Sequence, residues 1–190
     1  MYRAQPKDGP AWVTGASSGI GRAVALELAR RGYQVAVTAR RRAELESLAA
    51  ESDRIFSFPG DTTDRAGQAK LVQEIESKLG GIALAFLNAG AYFIGERTEF
   101  SADLVWRTFE INVGGTVNSL APLLAAMKRR GRGQIALNSS LAGYGARKSS
   151  GMPTRRSRRK RACPRKSLPI SRPISDPTTC SQTKPPFMIS

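Results

Sequence analysis

Short apolar runs alternate with amphipathic helical patterns from residue 11 to residue 138, and this alternation restricts the chain more than any other feature. The runs are AWVT (11–14), YQVAVTA (33–39), RIFSF (54–58), IALAFLN (82–88) and QIALN (134–138). Between the first two, Ile20, Ala23, Val24, Leu28 and Ala29 mark an apolar helix face that Gly32 stops. RRAELESLAAE (41–51) and DRAGQAKLVQEIESKLGG (64–81) read as two further helices, and residues 101–130 as a long one. Strands joined by helices of this length need right-handed crossovers, hence a parallel sheet covered by helices on both faces. No internal repeat is present.

The pattern stops near residue 146, and so does the composition. Residues 1–146 hold 18 Lys/Arg against 14 Asp/Glu; residues 147–190 hold 12 against 1, together with seven of the eleven prolines. The chain therefore divides into a globular body, 1–146, and a basic Pro/Ser-rich tail, 147–190. The tail has too little apolar surface to offset the entropy of ordering it and is expected to be disordered. Both cysteines, Cys163 and Cys180, fall in the tail, so the body has no disulfide framework. The chain has no histidine, the commonest metal ligand, and no metal site is expected. The start, MYRAQPKDGPAW, lacks an apolar targeting core, and no run reaches membrane-spanning length, so a cytoplasmic protein without a membrane partner is expected.

The candidate chemistry begins at TGASSGIG (14–21), where a strand gives way to a helix. Gly15 allows a tight turn, Gly19 lets the backbone approach a pyrophosphate, and Gly21 lets the helix pack closely on the strand. The unpaired N–H groups of the helix start favour an anion there. Such a turn can also be purely structural. Four further motifs accompany it in order: GDTTD (60–64), LNAG (87–90), INVGGT (111–116) and GQIALNSSLAG (133–143). Taken together, residues 10–143 resemble the short-chain dehydrogenase/reductase family.

The resemblance implies an α/β fold, a Rossmann-like doubly wound parallel sheet truncated here after the fifth strand and followed by the basic tail. It implies an oxidoreductase that moves hydride between a nicotinamide dinucleotide and a small alcohol or carbonyl compound. Gly15, Ser17, Ser18, Gly19, Ile20 and Gly21 would line the pyrophosphate, Asp61 and the backbone near Thr62 would meet the adenine, and Asn88, Ala89 and Gly90 would shape the cofactor floor. Asn112 would bend the long helix and hold a water of the proton relay, and Ser140 would hydrogen-bond the substrate oxygen. Plainer roles stay open: Ser139 and Ser140 as a strand-end turn, Asn112 as a kink residue beside Gly114 and Gly115.

Cofactor choice has a physical basis. Members that use NAD place a carboxylate at the end of the second strand for the ribose 2′-OH. Here Ala39 stands there, followed by Arg40, Arg41 and Arg42. No acid repels a 2′-phosphate, and the Arg40 guanidinium can grip one, so NADP(H) is favoured over NAD(H). The alternative is a solvated helix start, although a basic first turn opposes the helix dipole.

Carbonyl reduction also needs a proton donor near the developing alkoxide. In the family this is a tyrosine with a lysine four residues later, on one helix face. Tyr144 and Lys148 match that spacing, but Tyr144 follows Ser140 by only four residues, where the family allows a longer loop. Gly143, Gly145 and the following SSG also make a poor helix. They are read as a chance match. Regrouping the codons for MPTRRSR (152–158) by one base permits Ala-Tyr-Ser-Ala-Leu-Lys, which restores the tyrosine–lysine pattern close to its expected place. The same codons permit His, Asn or Asp in place of the tyrosine, so the hypothesis is that the tail is an out-of-frame product replacing the catalytic helix, and sequencing codons 140–155 tests this. Turnover is expected to be very low, the fifth strand to form an unprotected edge, and the family's usual homo-oligomer not to assemble.

Two rival functions remain. The body could be a non-catalytic nucleotide-binding protein, or RRSRRKR (155–161) could serve nuclear targeting or nucleic-acid binding. Phe187 is the sole aromatic residue of the tail, so base stacking is not supported and a nucleic-acid partner is disfavoured. Steeply salt-dependent DNA binding, lost on deleting residues 147–190, would reverse that preference.

Overall fold

The computed structural model describes residues 2–93 and 101–140, all within the unit Met1–Met152. Five parallel strands form one sheet: β1 (Ala11–Thr14), β2 (Val35–Thr38), β3 (Ile55–Ser57), β4 (Leu84–Leu87) and β5 (Gln134–Leu137), in the order β3-β2-β1-β4-β5. The helices are α1 (Gly19–Arg30), α2 (Arg42–Ala49), α3 (Arg65–Leu79), α4 (Ala102–Phe109) and α5 (Gly115–Arg130). This is a Rossmann-like α/β fold, with the strand order reversing direction between β1 and β4.

Side-chain alternation on the strands separates two cores. Ala11, Val13, Val35 and Val37 pack with Ala25, Ala29, Leu45 and Leu48 of α1 and α2. Trp12, Ala36 and Ala85 pack with Leu71, Val72 and Ile75 of α3 and Leu123 and Met127 of α5. Trp12 is fully buried, and its indole N–H donates to Thr38 Oγ1 at 3.0 Å, which satisfies its one polar atom.

Two residues of the expected helix face are corrected. Ala29 is buried and Val24 and Leu28 pack against the core as expected, but α1 also buries Gly21 and Ala25, whereas Ile20 is 61% exposed and Ala23 is exposed. Small residues at every fourth position let the helix sit against β1, and this proximity outweighs the larger apolar area of Ile20. At Gly21 an added Cβ would stand 2.3 Å from Gly15 O.

The long helix expected over residues 101–130 is broken into α4, a π-helical turn at Glu110–Gly114, and α5. Asn112 lies inside that turn, a register defect that recurs at functional sites. Along the outer surface Val105, Trp106, Phe109, Val113, Val117 and Leu124 are exposed. β5 is only partly buried, and its Leu137 is 56% exposed. Tyr144, Lys148 and the whole of 147–190 lie outside the described residues. Among the described residues no helix is long and apolar enough to cross a membrane.

Candidate cofactor site

The carboxyl ends of β1, β2 and β4 open onto a cavity of about 520 Å³, at the point where the strand order reverses. Open α/β sheets bind ligands at that place because diverging crossovers leave a crevice there. Ten of the twelve residues expected to hold a cofactor line it: Gly15, Ser17, Ser18, Ile20, Arg40, Asp61, Thr62, Asn88, Ala89 and Gly90. Gly19 and Gly21 do not. Gly21 is buried under the turn, and Gly19 begins α1 at φ 57° with nothing within 4 Å of where a Cβ would lie. The helix start is therefore open to an approaching group.

The cavity floor is built by hydrogen bonds between strand ends. Thr14 Oγ1 accepts from the N–H groups of Asn88 (3.0 Å) and Ala89 (3.1 Å), fixing the β4 exit on β1. Asn88 Nδ2 faces Thr14 O and Gly15 O at 3.3 and 3.4 Å, and Asn138 Nδ2 donates to Asn88 Oδ1 at 2.8 Å. Asn88 thus ties the glycine turn to the end of β5. Gly15, at φ 68°, approaches so closely that a Cβ would meet Ala89 Cα at 2.8 Å.

The basic wall divides its work. Arg41 donates to Ser17 Oγ (3.0 Å) and Ser18 Oγ (3.3 Å) and pairs with Glu44 (3.0 Å). Arg40 reaches across the cavity mouth to Asp61 Oδ2 at 4.0 Å and is otherwise mostly exposed. Arg42 lies near Glu46 at 3.9 Å, so acids on the first turns of α2 offset the unfavourable charge placement. Asp61 Oδ1 accepts from Thr63 N–H and Thr63 Oγ1, both at 2.9 Å.

The two residues expected to serve catalysis are placed differently. Asn112 Oδ1 accepts from Ala91 N–H at 2.7 Å, and its Nδ2 donates to Ala91 O at 2.9 Å. Its amide grips the segment after β4 as a strand neighbour would. The main-chain carbonyl of Asn112 accepts from Thr116 Oγ1 at 2.7 Å. Ser140 is exposed three residues beyond β5 and is not among the cavity-lining residues.

Arg41, Thr14 and Asn118 were missed as contributors. Arg41 was visible only as one of three arginines, and nothing in a linear pattern says which guanidinium meets the serines. Asn118 on α5 donates to Thr62 O and Thr63 O. A polar residue on a helix facing GDTTD was its one available signal.

The family model for short chain dehydrogenases matches residues 10–152. The chain belongs to the short-chain dehydrogenase family. A glycine betaine reductase of Emericella nidulans is 39% identical over 135 residues, covering 69% of this chain and 11% of that protein. An uncharacterized oxidoreductase of Listeria monocytogenes is 34% identical over 138 residues, 70% of this chain and 56% of its own length. Among solved structures, an actinorhodin polyketide ketoreductase with NADPH superposes at a TM-score of 0.70 and 27% identity, covering 76% of this chain and 58% of that one. This short-chain dehydrogenase thus spans about half the length of the Listeria protein and the ketoreductase it matches.

Proposed function

We infer that residues 1–146 form the NADP(H)-binding body of an oxidoreductase acting on an alcohol or carbonyl compound, and that the chain as written turns over poorly. The carrying observation is the cavity at the strand-order reversal, with Ala39 and Arg40 at the end of β2 and an open helix start at Gly19. The residues fit a dinucleotide phosphate: the open start of α1 at Gly19 would offer N–H groups to a pyrophosphate, and Arg40 would offer a guanidinium to a 2′-phosphate. When bound, the reduced nicotinamide supplies a hydride. Asn88, Ala89 and Gly90 would hold it from the cavity floor, Asn112 fixes the segment after that floor through Ala91, and Ser140, beyond the cavity lining, would meet the substrate oxygen. Slow turnover is inferred because Tyr144, flanked by Gly143 and Gly145 only four residues after Ser140, is a poor match for the family's proton donor.

Fluorescence titration of the full chain with NADPH tests the binding half of this reading. Saturable binding, weakened by salt, supports it; no binding by folded protein rejects it. Arg40→Ala is expected to weaken NADPH by about 10- to 100-fold, the worth of one charge-assisted contact, and to leave NADH within about twofold. Equal weakening of both would remove Arg40 from the 2′-phosphate. Ala39→Asp is expected to shift preference toward NADH, because the new carboxylate repels the phosphate and accepts from a 2′-OH.

A further inference from the structure

A line of hydrogen bonds crosses the carboxyl ends of three strands, and one orientation of its middle member satisfies it. Asn138 Nδ2, just past β5, donates to Asn88 Oδ1 at 2.8 Å. Asn88, just past β4, turns its Nδ2 toward Thr14 O and Gly15 O at 3.3 and 3.4 Å. Carbonyl oxygens only accept, so Asn88 must give them its N–H groups and keep Oδ1 for Asn138. Turned over, the Asn88 amide would set its oxygen against two acceptors and its NH₂ against the NH₂ of Asn138. The donor on Asn138 therefore decides which way Asn88 points. The Asn138 backbone N–H donates to Leu87 O at 3.0 Å, which keeps its side chain level with Asn88.

That orientation matters because the glycine turn is packed hard on the same amide. A Cβ at Gly21 would stand 2.7 Å from Asn88 Nδ2, and one at Gly15 would stand 3.1 Å from it. Gly15, Asn88 and Ala89 all line the cavity. An Asn88 oxygen turned toward Gly15 O would push the turn away, whereas its N–H groups draw the turn in. Asn138 is exposed and is not among the cavity-lining residues, so it acts through Asn88 and not on a ligand. We propose that Asn138 is a positioning residue: by donating to Asn88 it fixes the amide that holds the glycine turn, so that dinucleotide affinity depends on the end of the fifth strand. The proposal rests on the reading that the cavity takes a dinucleotide. Among the described residues the hydrogen-bond partners of Asn88 and Asn138 are all neutral, so pH acts on this line only through a residue introduced into it.

The test reverses the donor. Asn138→Asp sets opposite Asn88 Oδ1 a carboxyl that only accepts when ionised and donates once protonated. Facing an acceptor oxygen, such a carboxyl keeps its proton to higher pH than usual. Affinity for NADP+ is measured by titration calorimetry on the full chain at about pH 8 and about pH 5, either side of that protonation. Each variant is divided by the wild type at the same pH, which removes the ligand's own titration. At the higher pH Asn138→Asp is expected to weaken NADP+ about tenfold, and at the lower pH to regain at least about threefold. Ser139→Asp adds the same charge beside Asn138 and not opposite Asn88, and is expected to stay within about twofold of wild type at both. An equal, pH-dependent loss in Ser139→Asp would mean plain repulsion of an anionic ligand and overturns the proposal. Wild-type affinity of Asn138→Asp at the higher pH overturns it too, as does a loss that acid leaves unchanged, the mark of a merely structural defect. If Asn138→Asp is unfolded by circular dichroism, Asn138→Leu removes the donor without adding charge: a loss of about threefold or more supports the proposal, and a smaller one overturns it. NADP+ binding by the wild type keeps the functional reading intact whichever way the variants fall, whereas folded wild type that binds none rejects both.

Discussion

Gly21→Ala is expected to destabilise the chain by about 2–3 kcal/mol and to cost most of its NADPH binding, a larger effect than its single methyl group suggests. The new Cβ would lie 2.3 Å from Gly15 O, 2.9 Å from Gly15 C and 2.7 Å from Asn88 Nδ2. The first two are backbone atoms that cannot retreat. Gly15 N–H is bonded to Thr38 O at 2.8 Å and Ala16 N–H to the same oxygen at 3.2 Å, which ties the turn to the end of β2. Relief must come from lifting α1 off β1, which opens the contacts of Ala25 and Ala29 with the core. Against a typical domain stability of about 5–15 kcal/mol this is a large fraction. Gly19→Ala is the control. It has nothing within 4 Å and pays only for φ 57°, about 1–2 kcal/mol. Its Cβ intrudes on the open helix start, so binding falls more than stability. Urea midpoints and NADPH titrations of the two variants check the contrast; equal midpoints would mean that α1 is not seated as described.

How much of this was legible follows from what each residue type can signal locally. Strand positions were legible because a doubly covered sheet demands continuous apolar runs: AWVT, VAVT and LAFL are β1, β2 and β4. Gly21 was legible as a packing glycine from its place in TGASSGIG. The burial of α1 was legible at Val24, Leu28 and Ala29 but not at its start, because hydrophobicity ranks Ile20 above Ala25 while closeness to β1 selects by size. Polar side chains turned inward were missed altogether. Gln68 shares the buried face of α3 with Leu71, Val72 and Ile75, where a linear reading treats one amide as noise. Its partner Ser119 is 51 residues away, and Asn118 is 56 from Thr62, separations at which sequence pattern carries no pairing information. Asn112 was legible as a helix irregularity through its glycine neighbours, but its two bonds to Ala91 depend on how the segment after β4 returns.

On the proposed reading that the chain lacks its proton donor, the largest rate effect is expected from supplying one. Replacing residues 144–190 with the corresponding C-terminal part of a family relative that carries the tyrosine–lysine helix should raise turnover of a carbonyl substrate by about 10²–10⁴-fold, the usual contribution of general acid catalysis. The NADPH dissociation constant should change little, because Gly15, Ser17, Ser18, Arg40 and Asp61 are all retained. Such a split between kcat and cofactor affinity is what a missing acid predicts and what a damaged cradle would not give. In the unaltered chain Tyr144→Phe is expected to leave the residual rate within about twofold, since general acid catalysis requires the donor to lie within hydrogen-bond reach of the alkoxide oxygen. That reach is the point at issue: Ser140 is four residues before Tyr144, so if Ser140 holds the substrate oxygen, the phenol must fold back over a segment containing Gly143. A brisk reduction by the unaltered chain that Tyr144→Phe abolishes would show that it does, and Tyr144 with Lys148 would then be the acid pair after all.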